Sequence, residues 1–249
     1  MISSVPMQSE GSTEISVVIL CYKEGESMRE YVANVDSELS KLHIPYEIII
    51  VSNSFEGDTD PSPKIARDIA SRSVRIQAVT EKKEGGFGWD VRSGLERAVG
   101  EVIAFVDGDG QISPDSVSHV YRAYKNGLYD IVVAQRKERK DGKIRVGMSS
   151  VYNFIFRLLF PKVRIRDVNG KPKMLRREVC ERLKLSSDDW FIDAELIIKT
   201  SYRGYRIGVV PIAFRKRAYK ESSVSLTSIF EFIWNMLRYR WRLTVGDAL

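Results

Sequence analysis

The amino-acid sequence predicts an α/β fold with a mostly parallel central sheet flanked by helices, and two observations carry this prediction. Between Ile15 and Ala134, short apolar runs rich in β-branched residues alternate with stretches of helical periodicity. These runs are apolar throughout, which is typical of strands buried on both faces. Regular alternation of strand and helix indicates βαβ units, and the strands of such units lie parallel.

The first half of the chain supplies five strands with four helices between them. The predicted strands are Ile15–Cys21, Tyr46–Val51, Val74–Val79, Val102–Val106 and Tyr129–Ala134. The predicted helices are Glu26–Leu42, Pro63–Arg72, Trp89–Val99 and Pro114–Tyr124. In the first helix Tyr31, Val35 and Leu39 fall on one apolar stripe. In the last, Pro114 lies near the start, where a missing backbone N–H costs little.

The second half changes in character. The segment from Arg136 to Arg145 holds six basic residues against two acidic ones and leads into an amphipathic helix near Ser149–Phe160. A Gly-Lys-Pro turn and a short strand precede the remaining predicted elements, which are the helix Arg177–Leu183, the helix Asp193–Tyr202, the strand Arg206–Phe214 and the helix Leu226–Leu243. The final helix mixes aromatic side chains with arginines, so it too is predicted to be amphipathic. We therefore expect a disordered tail over residues 1–14, one α/β domain over 15–225 and a helical extension over 226–249.

Composition limits the class of protein. The chain has 249 residues, of which 43% are hydrophobic and 29% charged, as in ordinary globular domains. The net charge of +6 collects in the second half and indicates an anionic partner, although such runs are also common on solvated surfaces. Cys21 and Cys180 lack CxxC spacing and fit a reducing compartment. The polar start and the lack of a long apolar stretch predict a cytoplasmic protein without a signal peptide or membrane span.

The sharpest chemical signal is Asp107-Gly108-Asp109-Gly110-Gln111, directly after the predicted strand Val102–Val106. Ligands of parallel α/β sheets bind at the carboxyl ends of the strands. Two carboxylates two residues apart, on a backbone that glycine allows to bend, can share one hard cation, and Gln111 can add a carbonyl oxygen. A glycine-rich turn with solvated aspartates is the alternative explanation. The position after a buried strand favours the metal site.

Other signals are weaker. Gly86 belongs to a glycine-rich entry to the third helix, and its spacing is close to a dinucleotide fingerprint, but that fingerprint should follow the first strand. A close backbone approach to a nucleotide, or a simple helix start, remains open for Gly86. Phosphate-loop and Gly-x-Ser-x-Gly motifs are absent from the sequence. His43 and His119 stand alone, which gives no basis for a zinc site.

Three further acids have ordinary structural explanations beside functional ones. Asp193 and Glu195 open a predicted helix, where the helix dipole favours anions. Asp167 is the single acid in a basic stretch, where a salt bridge would hold it.

Several motifs occur in order along the chain. They are Val17–Glu24, Tyr46–Val51, Gly86–Gly94, Asp107–Gln111, Asp130–Arg136, Asp167–Lys173, Phe191–Leu196 and Pro211–Arg217. In this order they resemble the family 2 glycosyltransferases of GT-A fold, and within them the dolichol-phosphate mannose synthase-like, polyprenyl-phosphate group. The likeness runs from about Ile15 to Ser223. It implies that residues 15–225 form a GT-A catalytic domain.

The resemblance implies roles for the residues at matching positions. The residues with implied catalytic roles are Asp109, Asp167, Asp193 and Glu195. Those implied to bind the nucleotide sugar are Tyr22, Glu24, Asn53, Gly86, Asp107 and Arg217. Arg136 and Arg145 are the candidates for the acceptor phosphate, because arginine can hold a phosphate with paired donors. Mg²⁺ or Mn²⁺ would be bound by Asp107, Asp109 and Gln111.

The implied reaction is an inverting transfer of a hexose, mannose or glucose, from a nucleotide diphosphate sugar to a polyprenyl or dolichyl phosphate. The enzyme would be peripheral on the cytosolic face of the membrane, with its basic, aromatic-bearing helices on an anionic surface. Those helices could instead pack on the sheet or form a homodimer.

Two departures and three alternatives accompany this interpretation. Ser52 and Asn53 stand where the family commonly has two aspartates, one of which reads the base, so GDP and UDP both remain open. Lys220 and Ser223 stand where the closing loop usually has glycine and lysine.

A family member acting on a soluble or glycan acceptor and a sugar nucleotidyltransferase are the enzymatic alternatives. A nucleic-acid-binding module fits the net charge but gives Asp107 and Asp109 no role, so we expect no nucleic acid as partner.

Overall fold

The structure is a computed structural model that describes residues 12–136, 154–214 and 226–245, with only the backbone described for 226–232. The strands are β1 Ile15–Leu20, β2 Tyr46–Val51, β3 Ile76–Val79, β4 Val102–Asp107, β5 Ile131–Arg136, β6 Lys173–Arg176 and β7 Ile207–Ile212. The helices are α1 Ser27–Ser40, α2 Ser62–Ala70, α3 Phe87–Arg97, α4 Asp115–Asn126, α5 at 154–159, α6 Arg177–Leu183, α7 Ile192–Tyr202 and α8 Leu226–Thr244.

One seven-stranded sheet organises the described residues, in the order β3-β2-β1-β4-β6-β5-β7. All strand pairs are parallel except those of β6, which runs antiparallel to both β4 and β5. The strand order reverses between β1 and β4, and a reversal of this kind marks the ligand-binding edge of an open α/β sheet. The predicted α/β fold with a mostly parallel sheet is confirmed.

Apolar side chains cover both faces of this sheet, because neighbouring residues of a strand point to opposite faces. In β1, Val18 belongs to a core that also contains residues of α3, α5, α7 and α8, whereas Val17 belongs to a core that contains residues of α1 and α4. Met236 and Tyr239 of α8 belong to the first of these two cores. The uninterrupted apolar strands of the sequence are therefore explained by burial on two sides.

Most element boundaries differ from the predicted ones by one or two residues. The strand predicted from Val74 begins at Ile76, and Val74 is fully exposed. Helix α3 begins at Phe87, two residues before the predicted start. The predicted helix Ser149–Phe160 is described only from 154, and the segment 137–153 lies outside the described residues. Within the described residues, we find no helix that combines the length and the apolarity needed to cross a bilayer.

Candidate active site

Four strands deliver polar side chains to one edge of the sheet. Leu20 of β1 is in register with Val51 of β2 and with Asp107 of β4, so the carboxyl ends of these three strands coincide. Tyr22 and Asn53 follow β1 and β2 at this edge. Arg136 ends β5 on the other side of β6. Tyr22, Asn53, Asp107 and Arg136, which are four of the predicted site residues, therefore lie along one edge.

Glycines shape the turn that carries the acids Asp107 and Asp109. The N–H of Gly108 donates to the carbonyl of Leu20 at 2.8 Å, and a Cβ at Gly108 would lie 2.5 Å from Cys21 Sγ. Gly110 has φ +73°, a left-handed conformation that side chains other than glycine rarely adopt. The turn is closed by Asp109 Oδ1, which accepts the N–H of Gln111 at 3.0 Å. The chain bends sharply here, and the Asp107 carboxylate is one-third exposed at the edge.

The donor set at this turn fits a hard divalent cation. The Lys171 ammonium lies 3.2 Å from Asp107 Oδ2, which shows that a positive charge already finds a place beside this carboxylate. Among the described residues, no three or more His, Cys, Asp or Glu side chains cluster as a metal cage. Mg²⁺ commonly takes only one or two protein carboxylates and completes its shell with water and substrate phosphates. Asp107, Asp109 and Gln111 match that kind of site.

A buried cluster of charges adjoins Asp107–Gln111, which is called the metal turn below after its predicted role. Lys171 Nζ contacts both Asp107 and Asp193, at 3.2 Å and 3.1 Å, and Lys173 Nζ contacts the other oxygen of Asp193. Burial alone would raise the pKa of the Asp193 carboxyl, but the two lysines outweigh it and hold that pKa below its usual value. Burial likewise acts to lower the pKa of Lys171, and Asp107 and Asp193 raise it above its usual value. Asp193 therefore lies at the edge as a firmly ionised carboxylate.

Arg136 and Asp167 form a forked ion pair at the end of β5. The Nε and Nη2 atoms of Arg136 donate to the two carboxylate oxygens of Asp167 at 2.7 and 2.8 Å. The loop after Asp167 is held close to β5, since a Cβ at Gly170 would lie 1.8 Å from the carbonyl oxygen of Ala134. A paired fork of this kind fixes the plane of the guanidinium. Asp167 therefore orients Arg136.

Glu195 faces the protein rather than the open edge. Its side chain is fully buried, it accepts the N–H groups of Ser186 and Ser187 at 3.1 and 2.8 Å, and it pairs with Lys199 at 2.8 Å. Burial acts to raise the pKa of this carboxyl, but Lys199 and Ser187 hold it below its usual value. Through these contacts Glu195 holds the loop that precedes α7. They favour this positioning role over the predicted catalytic role.

The side chain of Asn53 is also committed to the protein. It is 1% exposed, its Nδ2 donates to Asp90 Oδ1 and Ser93 Oγ at 3.0 Å each, and its Oδ1 accepts the N–H of Glu81 at 2.7 Å. An amide with these partners joins β2 to α3. The predicted direct contact of Asn53 with a base would require its side chain to give up one of these bonds.

Sequence reasoning missed a buried ion pair beside Asn53. Lys83 donates to Asp90 Oδ2, and its ammonium also lies 4.3 Å from the centre of the Tyr22 ring. Burial raises the pKa of the Asp90 carboxyl, against the opposing effect of Lys83. Asp90 falls on the same face of α3 as the buried residue Gly94. An acidic residue such as Asp90 on a buried helical face needs a partner, and this was the signal that could have identified its pair with Lys83.

Gly86 is close to another loop. A Cβ at Gly86 would lie 3.0 Å from the carbonyl oxygen of Asp188, and one at Gly88 would lie 2.3 Å from that of Ser187. The Phe87 ring stacks on the ring of Trp190 with centroids 4.6 Å apart. The glycine-rich entry to α3 therefore permits close packing against the loop before α7.

The remaining predicted residues are placed as follows. Tyr22 is partly exposed at the edge, and Glu24 lies in the turn that follows it. Arg145 and Arg217 lie outside the described residues, so their predicted roles stay predictions.

Comparison with known proteins shows which family the chain resembles. The family model for glycosyl transferase family 2 matches residues 16–184. Dolichol-phosphate mannosyltransferase of Pyrococcus furiosus is 30% identical over 232 residues, which cover 90% of this chain and 63% of that protein. Dodecaprenyl-phosphate galacturonate synthase of Rhizobium johnstonii is 25% identical over 231 residues, which cover 91% of this chain and 66% of that protein. The chain thus spans less than two thirds of the length of these curated relatives.

Solved structures show the same fold. Glucosyl-3-phosphoglycerate synthase from Mycobacterium tuberculosis, in complex with Mn²⁺, uridine diphosphate and phosphoglyceric acid, matches with a TM-score of 0.66 at 18% identity. The match covers 96% of this chain and 79% of that one. The predicted GT-A fold is confirmed.

Proposed function

Because the chain belongs to glycosyl transferase family 2, we propose that it transfers a hexose, mannose or glucose, from a nucleotide diphosphate sugar to a polyprenyl or dolichyl phosphate with inversion. The two curated relatives described above, whose names contain dolichol phosphate and dodecaprenyl phosphate, support a lipid-phosphate acceptor. The chain covers only part of those proteins, so the acceptor is inferred from its own site as well.

The observation that carries the acceptor class is the contact of Asp193 with two buried lysines, Lys171 and Lys173. A hydroxyl acceptor needs a general base, and an efficient base has a pKa near the working pH. Asp193 contacts two lysines, which lower its pKa and make it a weak base. A phosphate monoester is already ionised near neutral pH and needs no such base. The cluster therefore favours a phosphate over a hydroxyl as the attacking group.

The donor is proposed to bind at the carboxyl ends of β1, β2 and β4. Mg²⁺ or Mn²⁺ bound by Asp107, Asp109 and Gln111 would neutralise charge on the diphosphate leaving group. Tyr22 and Glu24 lie at the end of β1, where the nucleoside would be held. Gly86 and Asn53 would act by shaping this side of the edge through α3, and Arg217 is proposed to assist the diphosphate.

The acceptor is proposed to bind near the end of β5. Asp167 fixes the guanidinium of Arg136 at the edge, and this forked pair sets the plane in which the guanidinium donates. A phosphate brought beside a diphosphate is repelled, so a cation dedicated to the acceptor lowers the barrier to approach. Arg145 is proposed as the second such cation.

An exposed face of α8 supports docking on a membrane surface. Trp234, Leu237 and Trp241 recur at helical spacing, and the two tryptophans are 67% and 63% exposed. Phe154 and Leu158 are similarly exposed on α5. Tryptophan next to arginine is typical of helices that lie in the interface of anionic membranes. We therefore propose a peripheral enzyme of the cytosolic face, with a homodimer through this face as the alternative.

A donor and acceptor screen tests the proposal. GDP- and UDP-linked mannose and glucose are each offered with a polyprenyl phosphate in Mn²⁺ or Mg²⁺, and lipid-linked sugar and free nucleoside diphosphate are measured. Asp107→Asn serves as the inactive control. Release of pyrophosphate would indicate a nucleotidyltransferase, and transfer only to soluble phosphates or glycans would overturn the lipid acceptor.

A further inference from the structure

Lys171 lies at the candidate active site but has no role in the reaction proposed above. It lies two residues before β6, and because β6 is antiparallel its start lies at the carboxyl edge of β4 and β5. Its buried ammonium is 3.2 Å from Asp107 Oδ2, 3.1 Å from Asp193 Oδ2 and 4.4 Å from the centre of the Phe87 ring. Lys171 therefore lies between the acids of the metal turn and the Arg136–Asp167 pair.

We propose that Lys171 is a substrate-binding cation that releases Asp107 when a divalent metal binds there and then donates to a phosphoryl oxygen held beside that metal. The proposal rests on the proposed function and adds a residue to it. The ligand chemistry is a phosphoryl oxygen, whose source is either the donor diphosphate or the acceptor phosphate.

The charges of the cluster support this exchange. Asp107, Asp109 and Asp193 bring three negative charges, and Lys171 and Lys173 bring two positive ones, so the cluster carries one net negative charge. A divalent cation at Asp107 would change this to one net positive charge. Buried charge is stable only when it is paired, so the metal-loaded cluster favours the entry of an anion.

The local backbone would keep Lys171 in place after Asp107 is released. The Asp193 contact anchors the ammonium from the other side. The N–H of Ala134 donates to the carbonyl of Pro172 at 3.0 Å, and Gly170 packs directly against β5. The ammonium can therefore exchange one partner without movement of the loop.

A purely structural role explains Lys171 less well. Asp193 already has Lys173 as a fully buried partner. Asp193 therefore does not require a second ammonium. The Lys171 ammonium also contacts the predicted metal ligand Asp107. A competing cation on a metal ligand weakens metal binding, so Lys171 is best explained by what it binds once the metal is present.

The experiment compares Lys171→Met and Lys171→Arg with Lys199→Met as the control. Lys199 is a buried lysine of α7 that pairs with Glu195. It lies six residues after Asp193 in the same helix. Mn²⁺ binding is measured by electron paramagnetic resonance without substrate, nucleoside diphosphate binding is then measured in saturating Mn²⁺, and the KM for polyprenyl phosphate is measured last. Lys171→Gln, which retains a polar contact with Asp193, replaces the methionine variant if the latter melts below the assay temperature.

Lys171→Met should bind Mn²⁺ at least about threefold more tightly, because a competing positive charge is gone. It should also lose about tenfold in affinity for either nucleoside diphosphate or lipid phosphate, as expected for one charge-assisted hydrogen bond. Weaker nucleoside diphosphate binding identifies the donor as the source of the phosphoryl oxygen, and a higher KM for polyprenyl phosphate identifies the acceptor. Arginine should retain most of both affinities, and Lys199→Met should leave Mn²⁺ binding unchanged.

Two results would overturn the inference. One is unchanged Mn²⁺ affinity in Lys171→Met, and the other is tighter Mn²⁺ binding with both phosphoryl affinities unchanged. If the parent protein binds neither Mn²⁺ nor a nucleoside diphosphate, the proposed function itself fails, and that outcome is visible before any variant is compared.

Discussion

Replacing Asp193 by asparagine should destabilise the fold severely, although the two side chains have nearly the same shape. The substitution removes the carboxylate that two buried lysines share, at 3.1 Å for Lys171 and in direct contact for Lys173. Burial already lowers the pKa of Lys173, and in the variant this ammonium loses its carboxylate partner. Breaking one buried pair typically costs about 3–5 kcal/mol.

That cost is a large share of the total stability. Domains have a free energy of unfolding of about 5–15 kcal/mol. At about 2–4 °C per kcal/mol for a chain of this size, the melting temperature of Asp193→Asn should fall by roughly 10 °C. Urea denaturation followed by circular dichroism gives the free energy of unfolding, and a thermal melt gives the temperature.

A control and a double variant decide whether buried charge is the cause. Asp68→Asn breaks exposed ion pairs with Arg29 and Arg72 and should leave stability nearly unchanged. Asp193→Asn combined with Lys173→Met should be more stable than Asp193→Asn alone, since one uncompensated ammonium is removed. A loss in Asp193→Asn no larger than in Asp68→Asn, or a double variant weaker than the single one, would refute this reasoning.

The remaining predictions concern activity, pH and membrane binding. Asp107→Asn should abolish sugar transfer while the melting temperature stays close to the parent value, because this carboxylate is partly exposed; full activity of the variant in the transfer assay would contradict its metal role. The pKa of the Glu195 carboxyl is below its usual value of 4.5, so its ionised contacts stabilise the fold above that pH and are lost as pH falls through the lowered pKa. The stability difference between the parent and Glu195→Gln, from urea titrations, should therefore shrink from about pH 6 to about pH 3. Arg136→Ala should sharply reduce transfer to lipid phosphate but spare slow hydrolysis of the donor, and lysine should rescue only in part; parent-like transfer would place the acceptor elsewhere. Trp234→Ser should weaken binding to anionic vesicles in flotation assays, and binding should fall with salt; salt-insensitive, equal binding to neutral vesicles would count against docking.

The strands were the most predictable part of the fold. Apolar runs such as Tyr46–Val51 are most stable between two layers of helices, and for this strand the predicted and observed bounds agree. Strand β6 was harder, because Lys173–Arg176 contains two basic residues and its place between β4 and β5 depends on long-range pairing. The local residue pattern predicted a short strand at this position, but it could not predict which strands β6 pairs with or in which direction it runs.

The site was predictable in outline but not in its contacts. The strand ends bring Asp107 to the sheet edge, as expected from position in sequence. The partners of Asn53 depend on how α3 packs against β2, since Asp90 and Ser93 are on a different element. A sequence motif gives the order of residues along the chain, whereas hydrogen-bond partners depend on the packing of elements that are far apart in it.

Lys171 and Lys173, just before and at the start of β6, show what such packing adds to a motif. In the sequence they are two basic residues in a basic stretch, and solvated side chains would explain them equally well. In the structure both lysines contact Asp193 near the end of β4, although Asp193 lies twenty residues after Lys173 in the sequence. This contact makes Asp193 a weak base and places a positive charge beside the metal turn, and both effects favour a phosphate as the attacking group. The proposed acceptor class therefore depends on the pairing of these three residues rather than on any one of them.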